Sequence, residues 1–416
     1  CFEWMTFTFV SESRSISLDQ MMSFICVSSF YVLHTATQRS RAATNGWLIL
    51  LFISGFLIRG PIGVILPNAV LASYFFAHKR VKDFFLWSVV AAFLIAALWG
   101  LQLGLAWYQG GNDFVANVIR MQVTERMSLE DYQPFYYYFT SSIGNFAPTF
   151  PLFILVCGAL ITQRRRLTNA PHFTLLLSLL LWVLLIIGGL SVPHTKKVRY
   201  LMPMLPALCA VLAYPFGFNL FPRLLVFLSA CIRFFPGFLL LLLIYAKHAA
   251  AAKGIELADT LNLTLILLGV LQAGLLLFWL HPTLRLHRIP ASLMGAAFAS
   301  WLTWSVLAAP SLAKMHDTQT FVSAAEQLRA QQPAPLLFYR IGKDGMAIKY
   351  MVNLDHAEMP YFAQTPEALQ NLPRPLYLLV EQGKEHSLGD AILTSARLIH
   401  RGGFDKTELL LYRLEN

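Results

Sequence analysis

The chain has 416 residues, 56% of them hydrophobic and only 13% charged, with a mean hydropathy of +0.56. So few charges cannot cover that much apolar surface in water, and several apolar runs approach the ~20 residues that cross a hydrocarbon core. A soluble globule is excluded, and the net charge of +10 does not make a nucleic-acid binder, because the basic residues gather in short loops between apolar runs.

Residues 1–19 are mixed in character and begin at Cys1, which reads as a fragment whose upstream part is missing. The five cysteines are scattered, without metal-ligand spacing, and read as small buried hydrophobes. An apolar run from Met21 to about Ala36 precedes a basic loop with Arg39 and Arg41. Residues 46–77 are too long for one span and are broken by Arg59-Gly60-Pro61. Proline removes a donor and disfavours helix in the residue before it, so two short passes are predicted to meet there. Both basic flanks, Arg39/Arg41 and Lys79/Arg80/Lys82, then lie on the cytoplasmic face.

A span at 84–107 leads out to a polar loop, 108–134, carrying Asp113, Arg120, Glu125, Arg126, Glu130 and Asp131. A return span at 135–162 ends at Arg164-Arg165-Arg166, a cytoplasmic marker. Span 173–190 goes out to the 191–199 loop and 200–218 comes back. Spans from near Phe234, at 261–280 and at 290–308 complete ten passes. Residues 309–416 differ in kind. A helix at 317–332, with Phe321, Ala324, Ala325 and Leu328 at helical spacing, is followed by strands at 336–339, 376–380, 397–400 and 409–414. The expected organisation is a transmembrane region, 1–308, and a small soluble α/β domain, 309–416, outside the cytoplasm.

This topology gathers four polar features on the outer face: Arg14 with Asp19, Arg59, the 108–134 loop, and Lys196/Lys197/Arg199/Tyr200. Ionisable groups at membrane depth are costly and mark function by default. Cations can hold a lipid phosphate and stabilise it as a leaving group, while a carboxylate can take a proton from an attacking hydroxyl. Duller roles compete. Asp19 can cap the helix that follows, Arg59 can snorkel, Arg120 and Arg126 can pair with Glu125, Glu130 or Asp131, and Tyr136–Tyr138 fit an aromatic belt. His34, His172 and His281 stand alone and suggest no metal site.

The run Thr195-Lys196-Lys197-Val198-Arg199-Tyr200-Leu201-Met202-Pro203-Met204-Leu205-Pro206 resembles the Thr-Lys-x-x-x-Tyr-x-x-Pro-x-x-Pro signature of bacterial family 39/83 glycosyltransferases. These are relatives of protein O-mannosyltransferases and of lipid A aminoarabinose transferase, with the GT-C membrane fold. Three segments agree in the same order. Arg14 to Asp19 is similar to the family's Arg-x-x-x-x-Asp, Arg59-Gly60-Pro61 to its Lys-Gly-Pro, and 135–151, with Tyr137, Pro148 and Pro151, to its Tyr-Tyr…Pro-Trp.

The resemblance implies transfer of a sugar from a polyprenyl-phosphate donor to a lipid A, protein or glycan acceptor, at the outer face of the bacterial inner membrane. By carry-over Lys196 contacts the donor phosphate with Arg59 near it, Asp19 belongs to the catalytic cavity, and Arg126 lies on the loop covering it. Arg14, Tyr137, Lys197, Arg199 and Tyr200 join them as substrate-binding candidates. Arg59 replaces the family's Lys, which changes geometry at constant charge. Gln122 stands about where some members have a metal-binding His, so no divalent metal is carried over; Phe150 replaces Trp. The family's principal catalytic carboxylate lies upstream of Cys1, so the general base is expected outside this chain. Two other classes compete. A transporter or flippase would show paired half-sequences and midplane charges, and a surface-polysaccharide polymerase or ligase would carry a large external loop between spans.

Overall fold

The computed structural model describes residues 2–14, 17–120, 133–162, 172–194, 196–218, 221–252, 260–341, 345–369 and 372–415. They form two compact units, Cys1–Leu307 and Ala308–Asn416.

The first unit is helical. Its opening segment, mixed in composition, folds as α1 (Phe2–Met5) and α2 (Phe7–Glu12), with Phe2, Met5 and Val10 buried. Polar groups there are satisfied inside: Thr6 and Thr149 share a hydroxyl hydrogen bond of 2.8 Å, and Ser300 Oγ donates to the Met5 carbonyl at 3.0 Å. Then come α3 (Leu18–His34), α4 (Arg41–Arg59) and α5 (Ile62–Ala77). The break predicted at Arg59-Gly60-Pro61 is present, with Gly60 at φ +62°, a conformation that glycine adopts freely. Just inside it α4 and α5 cross backbone to backbone. A Cβ on Gly55 or on Gly63 would strike the other residue's carbonyl. Lipid tails are as apolar as leucine, so helix association in a membrane rests on such close packing rather than on water exclusion.

α6 (Val81–Ile119) is 39 residues long and bends at Gly111, φ +64°. Helix therefore continues through 108–119, where a loop was expected, and residues 121–132 lie outside the described part. The expected single span at 135–162 is instead two helices, α7 (Tyr137–Asn145) and α8 (Thr149–Thr162), bent by 114°. Pro148 disfavours helix at Ala147 and removes a donor at the corner.

α9 (Phe173–Leu190) agrees with the expected span. The next begins as a 3-10 turn, Val198–Met204, before α10 (Leu205–Gly217), and the Trp182 indole donates to the Pro203 carbonyl at 3.0 Å. α11 (Pro222–Arg233) and α12 (Phe235–Ala251) form a second bent pair, at 51°. α13 (Thr260–Leu280) and α14 (Arg288–Leu302) follow. Among the described residues six helices are long and apolar enough to cross a membrane, or eight with each bent pair as one span. α3 and α5 are helical but shorter, at 17 and 16 residues.

The second unit opens with α15 (Ala309–Met315) and α16 (Gln319–Gln331). Then come β1 (Leu336–Tyr339), α17 (Met346–Val352), β2 (Tyr361–Ala363), β3 (Leu376–Glu381), α18 (Asp390–Ser395), β4 (Ala396–Phe404) and β5 (Thr407–Leu414). The sheet order is β2-β1-β3-β5-β4; β1 pairs parallel with β2 and β3, and β5 pairs antiparallel with β3 and β4. β1 and β3 are buried on both faces, which is why they read as unbroken apolar runs. Phe321, Val322 and Ala325 of α16 pack with Phe338, Leu379 and Leu411, while Leu337, Tyr339, Leu378 and Val380 fill the other face. β2, three residues long, is not among the expected strands.

Candidate functional site

Asp19, Arg59 and Arg199 converge where α3 begins and α4 ends. Ser17 caps α3 by accepting from the Asp19 amide at 3.3 Å, so Asp19 stands in the first helical turn. Its carboxylate is 2% exposed and forms an ion pair with Arg59, the last residue of α4. Arg199, on the 3-10 turn that follows the Lys196 loop, approaches the second carboxylate oxygen at 3.5 Å, and the Ser17 hydroxyl donates to the same oxygen at 3.4 Å. The Arg59 guanidinium lies 4.3 Å from the centroid of the Tyr200 ring. Such a cation–π contact contributes about 0.5–2 kcal/mol and fixes the plane of the guanidinium.

The cap expected of Asp19 is supplied by Ser17 instead; Asp19 stands in the first turn, and its carboxylate ties two arginines together. Both carboxylate oxygens are engaged, so its geometry is that of a group that orients guanidiniums. Arg199 remains 45% exposed and the Lys197 side chain is exposed, leaving a cationic edge open beside a buried carboxylate.

Lys196 is different. Only 7% exposed, it donates through Nζ to the Gln133 carbonyl at 2.8 Å, while the Gln133 amide donates to the His194 carbonyl at 3.2 Å. Burial pulls its ammonium below the ordinary lysine range. These two bonds clamp the chain leaving the 121–132 stretch onto the 194–196 loop. Arg14 donates to Ser305 Oγ at 2.7 Å, so its guanidinium is engaged with the end of the bundle. Arg126 and Gln122 lie outside the described residues.

Tyr137 is half-buried, with its ring 5.5 Å from that of Tyr138. Tyr138, which is not among the candidates drawn from the sequence, is 1% exposed, and its hydroxyl meets the Lys197 backbone near Tyr200 and Arg59. The signal for it is faint: three consecutive tyrosines, with nothing in the sequence to say which one turns inward.

Beside Asp19 runs an apolar groove of about 320 Å³, lined by Gln20, Ser23, Phe24 and Val27 of α3 and by Met202 and Pro206 among others. Residues 20, 23, 24 and 27 share one face of the helix, so the groove follows α3 away from the carboxylate.

Among the described residues one group has metal-ligand spacing, Glu326/His356/Glu358 in the second unit. Arg329 already occupies it, donating to Glu358 at 2.9 Å and bridging Glu326. A cation would have to displace that guanidinium, so these residues do not fit a metal.

No family model matches the chain. It is 25% identical over 203 residues to an undecaprenyl phosphate-alpha-4-amino-4-deoxy-L-arabinose arabinosyl transferase of Serratia proteamaculans, and 26% identical over 207 residues to that of Pectobacterium atrosepticum. Each match takes in 47% of this chain and 35% of the relative, so about a third of the curated relatives' length is covered. Among solved structures it is similar to ArnT from Cupriavidus metallidurans. With that protein bound to undecaprenyl phosphate the TM-score is 0.60 at 16% identity, over 99% of this chain and 77% of that one. With its apo form the TM-score is 0.63 at 15% identity, over 98% and 76%. That likeness shows the fold, and the chain is a polytopic membrane protein of GT-C architecture with a small C-terminal α/β unit.

Proposed function

We propose that this chain, related in sequence to the aminoarabinose transferases and sharing the GT-C fold, transfers a glycosyl group from a polyprenyl-phosphate-linked sugar to a lipid, protein or glycan acceptor. The observation that carries the reading is the Asp19–Arg59–Arg199 cluster at the outer end of α4: two guanidiniums held by one buried carboxylate, with Lys197 beside them.

In this reading the bond between the anomeric carbon and the phosphate oxygen breaks, its electron pair staying on the phosphate. The acceptor oxygen bonds to the anomeric carbon, and its proton passes to a carboxylate other than Asp19. Arg59 and Arg199 meet the charge that grows on the leaving phosphate, which is where fixed donors act most strongly. Guanidiniums suit the task because they offer paired donors to phosphate oxygens. Asp19 holds them in place, Tyr138 and Tyr200 form the wall, and Lys196 keeps the Gln133 segment against it. The groove along α3 suits an isoprenoid chain through Phe9, Phe24, Val27, Met202 and Leu205, with Glu3, Gln20 and Ser23 as its polar lining. The site faces the periplasm of an inner-membrane protein, and residues 309–416 are a periplasmic domain.

The test uses membranes carrying the full-length gene and labelled sugar on prenyl-phosphate donors. Wild type transfers sugar, and Arg59→Gln, inserted at normal levels, loses most of that transfer. No transfer with any donor would favour a transporter or flippase of lipid-linked sugar. Undiminished transfer by Arg59→Gln would keep the enzyme and remove this site.

A further inference from the structure

α4 has a charged residue at each end. Arg59 belongs to the cluster above; Arg41, at the other end of this 19-residue helix, lies about 27 Å away, close to the thickness of a hydrocarbon core. At that other end is a cavity of about 480 Å³. Its rim carries three guanidiniums from three segments: Arg39 before α4, Arg41 in its first turn, and Arg80 at the start of α6. One carboxylate faces them, Asp83, which accepts from Arg80 Nε at 2.7 Å. Arg39 donates to the Thr35 hydroxyl at 2.9 Å and lies over the Tyr31 ring, so it is positioned without being neutralised. Among the described residues neither Arg39 nor Arg41 has a carboxylate partner. The N-termini of α4 and α6 open on the same cavity and add their positive dipole ends, while Thr44 and Asn45 supply further polar atoms.

Below the rim the cavity turns apolar, with Leu48, Phe75, Trp87 and Val90. Cytoplasmic loop charge alone would account for arginines at a membrane edge. It does not account for three of them converging, against one carboxylate, on a cavity whose lower wall is hydrocarbon. We propose that this cavity binds an anionic phospholipid, its phosphate among Arg39, Arg41 and Arg80 and an acyl chain along Leu48, Trp87 and Val90. Basic pockets between transmembrane helices hold anionic head groups by this combination of charge and apolar wall. The reading rests on the membrane fold and stands whether or not the cluster at the other end of α4 transfers sugar.

The probe is an equimolar mixture of phosphatidylglycerol and phosphatidylcholine added to the detergent-purified full chain, with lipid retention read by native mass spectrometry. Wild type retains phosphatidylglycerol in preference by about tenfold or more, as two to three guanidiniums at a membrane surface supply. Arg39→Gln with Arg41→Gln brings retention down to the phosphatidylcholine level. Lys79→Gln with Lys82→Gln removes the same charge just before and within the first turn of α6, outside the cavity lining, and leaves the preference intact. Both double variants change exposed or half-exposed positions, and elution as monodisperse protein checks their folding. Equal retention of the two lipids by wild type would overturn the proposal, as would an equal loss in the lysine variant. Displacement of the lipid by excess inorganic phosphate would reassign the cavity to a soluble phosphate.

Discussion

Among the described residues each unit holds an arginine–carboxylate network of three groups, and the two are built in opposite proportions. In the second unit one guanidinium, Arg329, serves two carboxylates: it bridges Glu326 and Glu358 and donates to the Ala334 carbonyl, while the Tyr350 hydroxyl donates to Glu326 at 2.9 Å. Burial alone would lower the pKa of Arg329, but the Glu358 and Glu326 hydrogen bonds overcome it and raise it instead. In the first unit one carboxylate, Asp19, serves two guanidiniums, and part of the cationic side stays exposed. In the Arg329 network carboxylates outnumber the guanidinium, and it ties α16 to the residues before β2. The Asp19 network has an edge still able to take up negative charge. Buried ion pairs are weak evidence for stability and no evidence for function by themselves. What separates these two is whether a partner remains to be added.

Truncating each arginine tests that contrast. Arg329→Met leaves the partly exposed Glu326 and Glu358 without their cation. We expect a loss of about 1.5–3 kcal/mol in the second unit, the usual worth of hydrogen bonds to charged groups, read as a lowered unfolding midpoint in urea. A loss within experimental error would mean that water reaches both carboxylates. Arg59→Gln is predicted to act chiefly on transfer. Arg199 and the Ser17 hydroxyl stay beside Asp19, so the stability loss stays within about 1–3 kcal/mol, while sugar transfer falls about 100- to 1000-fold, as removal of a fixed donor from a developing anion does. A large stability loss with proportionate activity would make this cluster a second strut.

Lys196 sharpens the comparison further. Its ammonium is engaged with the Gln133 carbonyl, so Lys196→Met is expected to lower kcat/KM about tenfold through a displaced wall, roughly the 0.5–1.5 kcal/mol of one hydrogen bond. Lys196→Arg, able to reach the same carbonyl, restores part of it. A loss matching that of Arg59→Gln, without rescue by arginine, would mean that Lys196 touches the phosphate itself, as the family signature implies.

The difference between Lys196 and Arg59 also marks how far the sequence can be read. Arg59 stands before Gly-Pro at the end of an apolar run, and loop charge and span length alone bring it, Asp19, Arg199 and Tyr200 to one face. Those are side chains at span ends, and charge and hydropathy are what a sequence displays. The acceptor of Lys196 is a main-chain carbonyl, which every residue carries, so no residue type announces it. The corner between α7 and α8 has its prolines in view, yet a bend of 114° follows from packing as much as from Pro148. Phe2 to Glu12 read as mixed because their few polar groups are matched far along the chain, Thr6 with Thr149 and the Met5 carbonyl with Ser300. α11 escapes a sequence reading because Arg223 and Arg233 bracket it and look like a single basic stretch.

The smallest expected effect lies at the turn between β4 and β5. Asp405 accepts from Lys349 at 2.6 Å and from the His316 ring, and these hydrogen bonds hold its carboxyl below the ordinary value of 3.8. A carboxyl whose pKa is depressed by folding binds its proton more readily in the unfolded chain. Its contribution to stability is therefore fully present above about pH 4 and is lost as pH falls through the lower folded value. Lys349 is half exposed and solvent screens the pair, so the contribution is about 0.2–1 kcal/mol. Hydrogen exchange of the β4 and β5 amides, followed by mass spectrometry on the full chain, should quicken in wild type below that pH. In Asp405→Asn the same amides should exchange slightly faster at pH 7 and should not quicken further on acidification. If the two proteins respond to acid alike, the acid sensitivity does not lie at Asp405.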